Sequence, residues 1–158
     1  MTLRIGYTGS RSGMTTAQVV TIDGLLWNLG GPAAPEVRRL VAAHAHSGDC
    51  VGGDAQFHAL AVKHGLWTVG HPPLDRVLRA FCEYDEERSP TDPLVRNSAI
   101  VDECTVVFAA PKTSVEQVRS GTWATIRRAR LLDKPMLVVL PGGHAAPNDA
   151  YVRWMKAA

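Results

Sequence analysis

Three short segments rich in glycine and hydroxyl side chains each follow a stretch that the sequence predicts to be a strand. They are Thr8 to Thr15, Ser47 to Asp54 and Ser120 to Thr122. A glycine turn between a strand and a helix points several backbone N–H groups at one spot, where the helix dipole adds partial positive charge. Such a spot favours a phosphate or another anion. Because parallel strands end at the same edge of a sheet, the three turns predict one nucleotide-sized pocket.

We predict that the ligand-binding residues come from these turns and from two neighbouring loops. They are Gly9, Ser10, Arg11, Thr15, Gly48, Gly52, Gly53, His71, Arg96, Asn97, Ser120, Gly121 and Thr122. The guanidinium of Arg11 can make a two-pronged contact with phosphate. The pair Arg96-Asn97 begins a predicted helix, where it either contacts the ligand or ties two loops together. His71 either reaches the pocket mouth or belongs to a rigid His-Pro-Pro turn.

Two carboxylates flank the second turn and are the candidates for catalysis. Asp49 and Asp54 can accept hydrogen bonds from ribose hydroxyls or act as an acid/base group. Asp54 has an equal alternative role as the cap of the following helix.

Histidines and acidic residues near the second turn raise the question of a metal site. His44 and His46 are two residues apart and so share one face of a strand, and several further ligand types follow closely in the sequence. These are Asp49, Cys50, Asp54 and His58. No Cys-x-x-Cys or His-Glu-x-x-His spacing accompanies them. We therefore expect structural histidines, no metal and no other cofactor.

Strand-like and helix-like segments alternate along the chain. This order predicts a single α/β domain over residues 1–158, with a Rossmann-like three-layer fold of about five mostly parallel strands and helices on both faces. The predicted strands are 3–8, 38–46, 66–70, 105–109 and 136–140, and the predicted helices are 15–28, 54–64, 94–103, 122–132 and a last one from residue 148. The proline-bracketed stretch 71–93 is predicted to be a loop or flap that contains a short helical or strand piece and could close over a ligand.

The composition narrows the classes of partner. The chain has 158 residues, 46% hydrophobic and 20% charged, and its 17 basic and 15 acidic residues give a net charge of +2. This near balance makes nucleic acid an unfavoured partner, and no apolar run approaches the roughly 20 residues that span a bilayer. Three widely spaced cysteines and no leader-like start indicate a cytoplasmic protein.

Apolar residues near Trp27, Leu29 and Trp154 predict a homodimer.

Four of these motifs together resemble the SLOG superfamily, which contains the DprA/Smf proteins and the Lonely-guy phosphoribohydrolases. They are Thr8-Gly9-Ser10-Arg11, the block Gly48 to Asp54, Arg96-Asn97 and Ser120-Gly121-Thr122. The resemblance extends over nearly the whole chain and is closest to small SLOG proteins of bacteria and phages. It implies a Rossmann-like nucleotide- or nucleic-acid-binding fold that often forms dimers.

The resemblance also bears on catalysis. Lonely-guy enzymes hydrolyse the N-glycosidic bond of adenine nucleotides with an arginine and the glutamate of a Pro-Gly-Gly-x-Gly-Thr-x-x-Glu motif. Here Gly121-Thr122 matches the Gly-Thr pair, but Thr125 stands at the glutamate position. We therefore predict a module that binds a nucleotide or nucleotide-derived ligand as a sensor or sequestering protein. A nucleotide N-glycosidase is the alternative, and a DprA-like single-stranded DNA binder is less favoured because no basic groove is evident.

Overall fold

Strands and helices alternate through residues 2–30 and 43–157, which are the part of the chain that the computed structural model describes. The strands are β1 (Leu3–Gly9), β2 (Ala43–Ser47), β3 (Trp67–Gly70), β4 (Glu86–Glu87), β5 (Val106–Ala110), β6 (Met136–Val139) and β7 (Ala145–Pro147). The helices are α1 (Thr16–Gly30), α2 (Gly53–Lys63), α3 (Pro93–Glu103), α4 (Gly121–Leu131) and α5 (Asp149–Ala157), with a short 3₁₀ helix at Arg76–Leu78.

The strands form one sheet in the order β4-β3-β2-β1-β5-β6-β7. Every pair is parallel except the last, in which β7 runs antiparallel to β6. The predicted Rossmann-like α/β fold is confirmed. β4 corresponds to the short helical or strand piece that was predicted within the stretch 71–93. β7 was not predicted, because its three residues carry no strand pattern. Residues 38–42 of the predicted second strand lie outside the described residues.

Two apolar clusters cover the two faces of the sheet. On one face, Ile22 and Leu26 of α1 and Phe57 of α2 pack against β1, and residues of α5 complete the layer. On the other face, Ile100 of α3 and Ile126 of α4 pack against β5 and β6. All five residues of β5 are buried, as expected for a central parallel strand covered on both sides. In the described part of the chain, no helix has the length and apolar content needed to cross a membrane.

A capping box begins α1, and the spacing of Thr15 and Gln18 in the sequence is typical of one. The Thr15 hydroxyl accepts the Gln18 N–H at 3.1 Å, while the Gln18 side-chain oxygen accepts the Thr15 N–H at 2.9 Å. The Gln18 amide then donates to the carbonyls of Pro111 and Val139, both at 2.9 Å. This buried side chain therefore ties the start of α1 to the chain just beyond β5 and to the end of β6.

The stretch 71–93 is anchored to the loop between β2 and α2. Asp49 is fully buried with a positive φ of 54°, and its carboxylate accepts the Arg79 Nε at 2.8 Å and the Cys82 N–H at 3.0 Å. Its carbonyl accepts the Ala80 N–H at 2.8 Å. Tyr84 packs on Gly70 at the edge of the sheet. This stretch was predicted to be a loop or flap with a short structured piece, and it is a loop fastened at several points.

Asp49→Asn should destabilise the fold by about 1–3 kcal/mol, because an amide weakens a buried charge-assisted contact to Arg79. Asparagine tolerates positive φ, so this change isolates the loss of charge. Asp133→Asn is the matched control, since Asp133 also has a positive φ, 50°, but pairs with Arg153 at the surface with its side chain 74% exposed. Urea unfolding measures the free energy of unfolding of both variants and of the native protein. Equal stability of the two variants would contradict the anchoring role of Asp49.

Candidate functional site

A cleft of about 550 Å³ lies beyond the carboxyl ends of β1 and β5. The chain leaves β1 towards one face of the sheet, whereas α3 and α4, which flank β5, cover the other face. The two halves therefore diverge here, as at the ligand crevice of other open α/β sheets. The predicted ligand residues that line the cleft are Gly9, Ser10, Arg11, Gly48, Arg96, Asn97, Ser120, Gly121 and Thr122, and Asp54 lines it as well.

Basic side chains dominate the charge of the cleft. Its lining contains Arg11, Lys112, Arg119 and Arg96, against Asp54 as the acidic residue. Arg11, Lys112 and Arg119 are exposed, and no ion pair or side-chain hydrogen bond joins any of them to another described residue. Unpaired cations around a concave surface attract and hold anions.

The N-terminus of α4 adds to this positive field. Ser120 is its N-cap, and the Ser120 hydroxyl accepts the Trp123 N–H at 3.3 Å. Ser120, Gly121 and Thr122 all line the cleft, so the first turn of the helix faces it. A Cβ built on Gly121 would meet nothing within 4 Å, which leaves the backbone there open to a ligand.

A buried arginine forms the floor of the cleft. Arg96 is 8% exposed, and its Nη1 donates to the Gly48 carbonyl at 2.6 Å and to the Cys50 sulfur at 3.1 Å. A Cβ at Gly48 would collide with this guanidinium. The Arg96 Nε is buried and has no hydrogen-bond partner among the residues that the structure describes, which leaves one donor for a ligand or a water molecule.

Asp54 lies beside this arginine. Its Oδ2 is 3.8 Å from the Arg96 Nη1 and accepts the Cys50 N–H at 3.1 Å. Burial raises the pKa of the Asp54 carboxyl, while the positive charge of Arg96 opposes that rise. Asp54 is thus a carboxyl group within reach of the cleft whose proton affinity is higher than usual.

The second glycine turn supports the first turn. The Gly53 N–H donates to the Ser10 carbonyl at 2.9 Å, and a Cβ at Gly52, whose φ is 89°, would collide with the Arg11 backbone. Tyr7 lies beneath both turns, with its hydroxyl against Gly9 and Gly53. That hydroxyl is buried and has no hydrogen-bond partner within residues 2–30 and 43–157, and burial raises the pKa of Tyr7 well above its ordinary value.

Five residues of the predicted site lie outside the lining of the cleft. They are Asp49, Thr15, Gly52, Gly53 and His71. Asp49 anchors the 71–93 stretch, Thr15 caps α1, and Gly52 and Gly53 seat the first turn. His71 is 3% exposed, and its Nε2 lies 2.9 Å from the His46 Nδ1. Each of these side chains or backbones therefore has a structural contact within the protein, and its contact with a ligand stays a prediction.

Several residues of the cleft were not identified from the sequence. Lys112, Thr113, Gln117 and Arg119 belong to the loop between β5 and α4, and Leu78 and Leu94 add apolar surface. The position of this loop was the signal that could have identified these residues, because the loop follows a central strand and precedes the Ser-Gly-Thr turn.

Trp123 is a core residue at 4% exposure, and Thr125 is buried with its hydroxyl donating to the Gly121 carbonyl at 2.9 Å.

The apolar residues behind the dimer prediction differ in their surroundings. Trp27 is 52% exposed, whereas Leu29 and Trp154 are partly buried against the core. Homodimer formation stays a prediction.

Comparison with known proteins identifies fold relatives. Neither protein-family models nor curated proteins give a match to the sequence. Among solved structures, the molybdenum cofactor binding protein from the phototrophic bacterium Rippkaea orientalis superposes with a TM-score of 0.66 at 18% identity, over 99% of this chain and 83% of that one. The molybdenum cofactor carrier protein MCP from Chlamydomonas reinhardtii superposes with a TM-score of 0.59 at 16% identity, over 87% of this chain and 76% of that one.

A third fold relative is DNA processing protein A (DprA) from Streptococcus pneumoniae. It superposes with a TM-score of 0.61 at 18% identity, and the match covers 99% of this chain but 57% of that one. These neighbours share the architecture of the chain, which has a Rossmann-like α/β fold.

Proposed function

We propose that the protein binds a small phosphorylated ligand, of the nucleotide class, in the cleft between β1 and β5. The observation that carries the proposal is the set of cations Arg11, Lys112 and Arg119, which have no ion-pair partner in the described part of the chain and line the same cleft as the N-terminus of α4. A phosphate in this cleft would be held by charge and by backbone N–H groups together.

The remaining lining suits the rest of a nucleotide. Leu78, Leu94 and Ile100 provide apolar surface for a planar base, and Asn97 and Asp54 provide polar groups for a sugar. The cleft volume of about 550 Å³ falls within the usual range of small-molecule sites. The fold neighbours named as carriers or binders of the molybdenum cofactor support non-catalytic binding, and they add that cofactor as a second ligand to test.

Binding without chemistry is the function that we favour. At the position of the Lonely-guy glutamate, Thr125 is buried and bonds to its own helix, so it supplies no acid/base group to the cleft. One observation favours hydrolysis of a nucleotide N-glycosidic bond as a second candidate. Asp54 lines the cleft, and its raised pKa suits a proton donor to a leaving base.

Arg11→Ala should weaken the binding of adenosine monophosphate at least about tenfold and leave the binding of adenosine nearly unchanged, because the lost contact is to phosphate. Arg153→Ala is the matched control, since Arg153 is an exposed arginine on α5 outside the cleft lining. Isothermal titration calorimetry measures the affinities of the native protein and of both variants for adenosine monophosphate and for adenosine. An equal loss for both ligands, or no binding of the phosphorylated one, would contradict the phosphate contact.

Gly121→Val should abolish binding of the phosphorylated ligand while the melting temperature of the free protein changes little. The new side chain enters open space but covers the helix N-terminus. Gly142→Val is the control, because a Cβ at Gly142 also meets nothing within 4 Å and Gly142 lies outside the cleft lining. A thermal-shift assay without ligand reports the melting temperature of the free protein, and the further shift on adding ligand reports binding. Unchanged ligand stabilisation in Gly121→Val would remove the α4 turn from the site.

Asp54→Asn separates binding from hydrolysis. If the protein only binds, the intact nucleotide is recovered by chromatography after incubation with either the native protein or this variant. If it is an N-glycosidase, the native protein releases free base, and the variant loses this turnover because an amide cannot transfer the proton. Release of base by both proteins would refute Asp54 as the acid.

A further inference from the structure

Away from the cleft, three metal-ligand side chains meet where β2, β3 and α3 converge. His46 lies in β2, His71 directly follows β3, and Glu103 is the last residue of α3. One ligand atom from each lies within 4.8 Å of the others. None of the three lines the cleft, and the proposed function does not use them.

The distances between these atoms are close to those of a coordination sphere. The His46 Nδ1 is 2.9 Å from the His71 Nε2 and 3.9 Å from the Glu103 Oε2. In a tetrahedral zinc site with bonds of about 2.0–2.1 Å, two ligand atoms are about 3.3–3.4 Å apart. The two distances from His46 differ from this spacing by about half an ångström, and the remaining distance, between the His71 and Glu103 ligand atoms, is within 4.8 Å. Side-chain shifts of up to about 1.5 Å would therefore bring the three ligand atoms to bonding distance of one ion.

The surrounding backbone holds the ligands in place. The His71 N–H donates to the Ser47 carbonyl at 2.8 Å, which fixes the start of the His71 loop beside β2. Arg88 donates to the Glu103 carboxylate at 3.0 Å and also pairs with Glu86. Arg88 can thus orient the Glu103 carboxylate as an outer-shell partner, while Glu86 offsets its positive charge.

The protonation state of the two histidines suits ligation. Both rings are buried, at 1% exposure for His46 and 3% for His71, and burial favours the neutral imidazole, which is the form that binds a metal ion. An ion requires both facing nitrogens to be unprotonated, so the proton between them must move to an outer ring nitrogen. Glu103 has a side chain 34% exposed, which gives the ion a path from solvent.

We propose that His46, His71 and Glu103 form a binding site for a divalent transition-metal ion, with Zn²⁺ as the best match to two imidazoles and one carboxylate. Three protein ligands leave a fourth position open to water, as in zinc sites that bind or activate a small molecule. Because the donors are separate from the cleft lining, this site stands or fails independently of the proposed function.

The test uses the full chain after removal of metals with EDTA. Titration with ZnCl₂ against a chromogenic chelator should show one bound ion per chain. Replacement by Co²⁺ should give the intense visible absorption of a four-coordinate site. Glu103→Gln keeps the shape of a half-exposed side chain, and it should weaken Zn²⁺ binding at least about tenfold. His144→Asn, which changes an exposed histidine elsewhere, should leave the affinity unchanged.

A second measurement uses the native protein and therefore does not depend on whether a variant folds. Long-range ¹H–¹⁵N spectra of the native protein should show Zn²⁺-dependent shifts of the His46 Nδ1 and the His71 Nε2, and not of the His144 ring. Absence of stoichiometric binding would overturn the proposal. So would binding that survives Glu103→Gln, or binding that Cys82→Ser removes, because the latter would place the ion on the partly exposed thiol.

Discussion

The reversal of strand order at β1 is the constraint on which the cleft depends. β1 pairs with β2 on one side and with β5 on the other. The helices that follow β1 and β2 cover one face of the sheet, and α3 and α4 cover the other. A gap must therefore open at the carboxyl ends of β1 and β5, where no helix crosses. The loops bordering the gap are the Ser10-Arg11 turn and the loop from Lys112 to Ser120, and they carry the unpaired cations.

A buried charge sets the shape of the cleft floor. Arg96 reaches from α3 to the Gly48 carbonyl and the Cys50 sulfur, with Asp54 nearby. Burying a guanidinium is unfavourable unless its donors are satisfied, so these contacts fix α3 against the loop that follows β2. Glycine at position 48 is required by this packing. The same interaction gives Asp54 an environment unlike that of Asp49, whose carboxylate is held by Arg79 outside the cleft. Two aspartates of one turn thus have different roles.

Local signals in the sequence predicted much of this arrangement. The five principal strands, the capping box of Thr15 and Gln18, and the Ser120 turn follow from residue types within a few positions of one another. Such local signals do not predict contacts between residues that are distant in the sequence. The role of Gly52 depends on the backbone of Arg11, and Lys112 and Arg119 belong to no motif. The histidine and carboxylate cluster joins residues from three separate elements, whereas spacing rules detect only ligands that lie close in sequence.

A backbone amide map of ligand binding tests the central claim most directly. The amides of the assigned protein are followed by ¹H–¹⁵N correlation spectra during titration with adenosine monophosphate. If the cleft holds the phosphate, the largest shifts fall on Ser10, Arg11, Gly121 and Thr122. Adenosine alone then leaves these signals nearly unmoved. Shifts centred instead on the surface hollow formed by Asp23, Trp27 and Lys63, or no saturable shifts at all, would contradict the account.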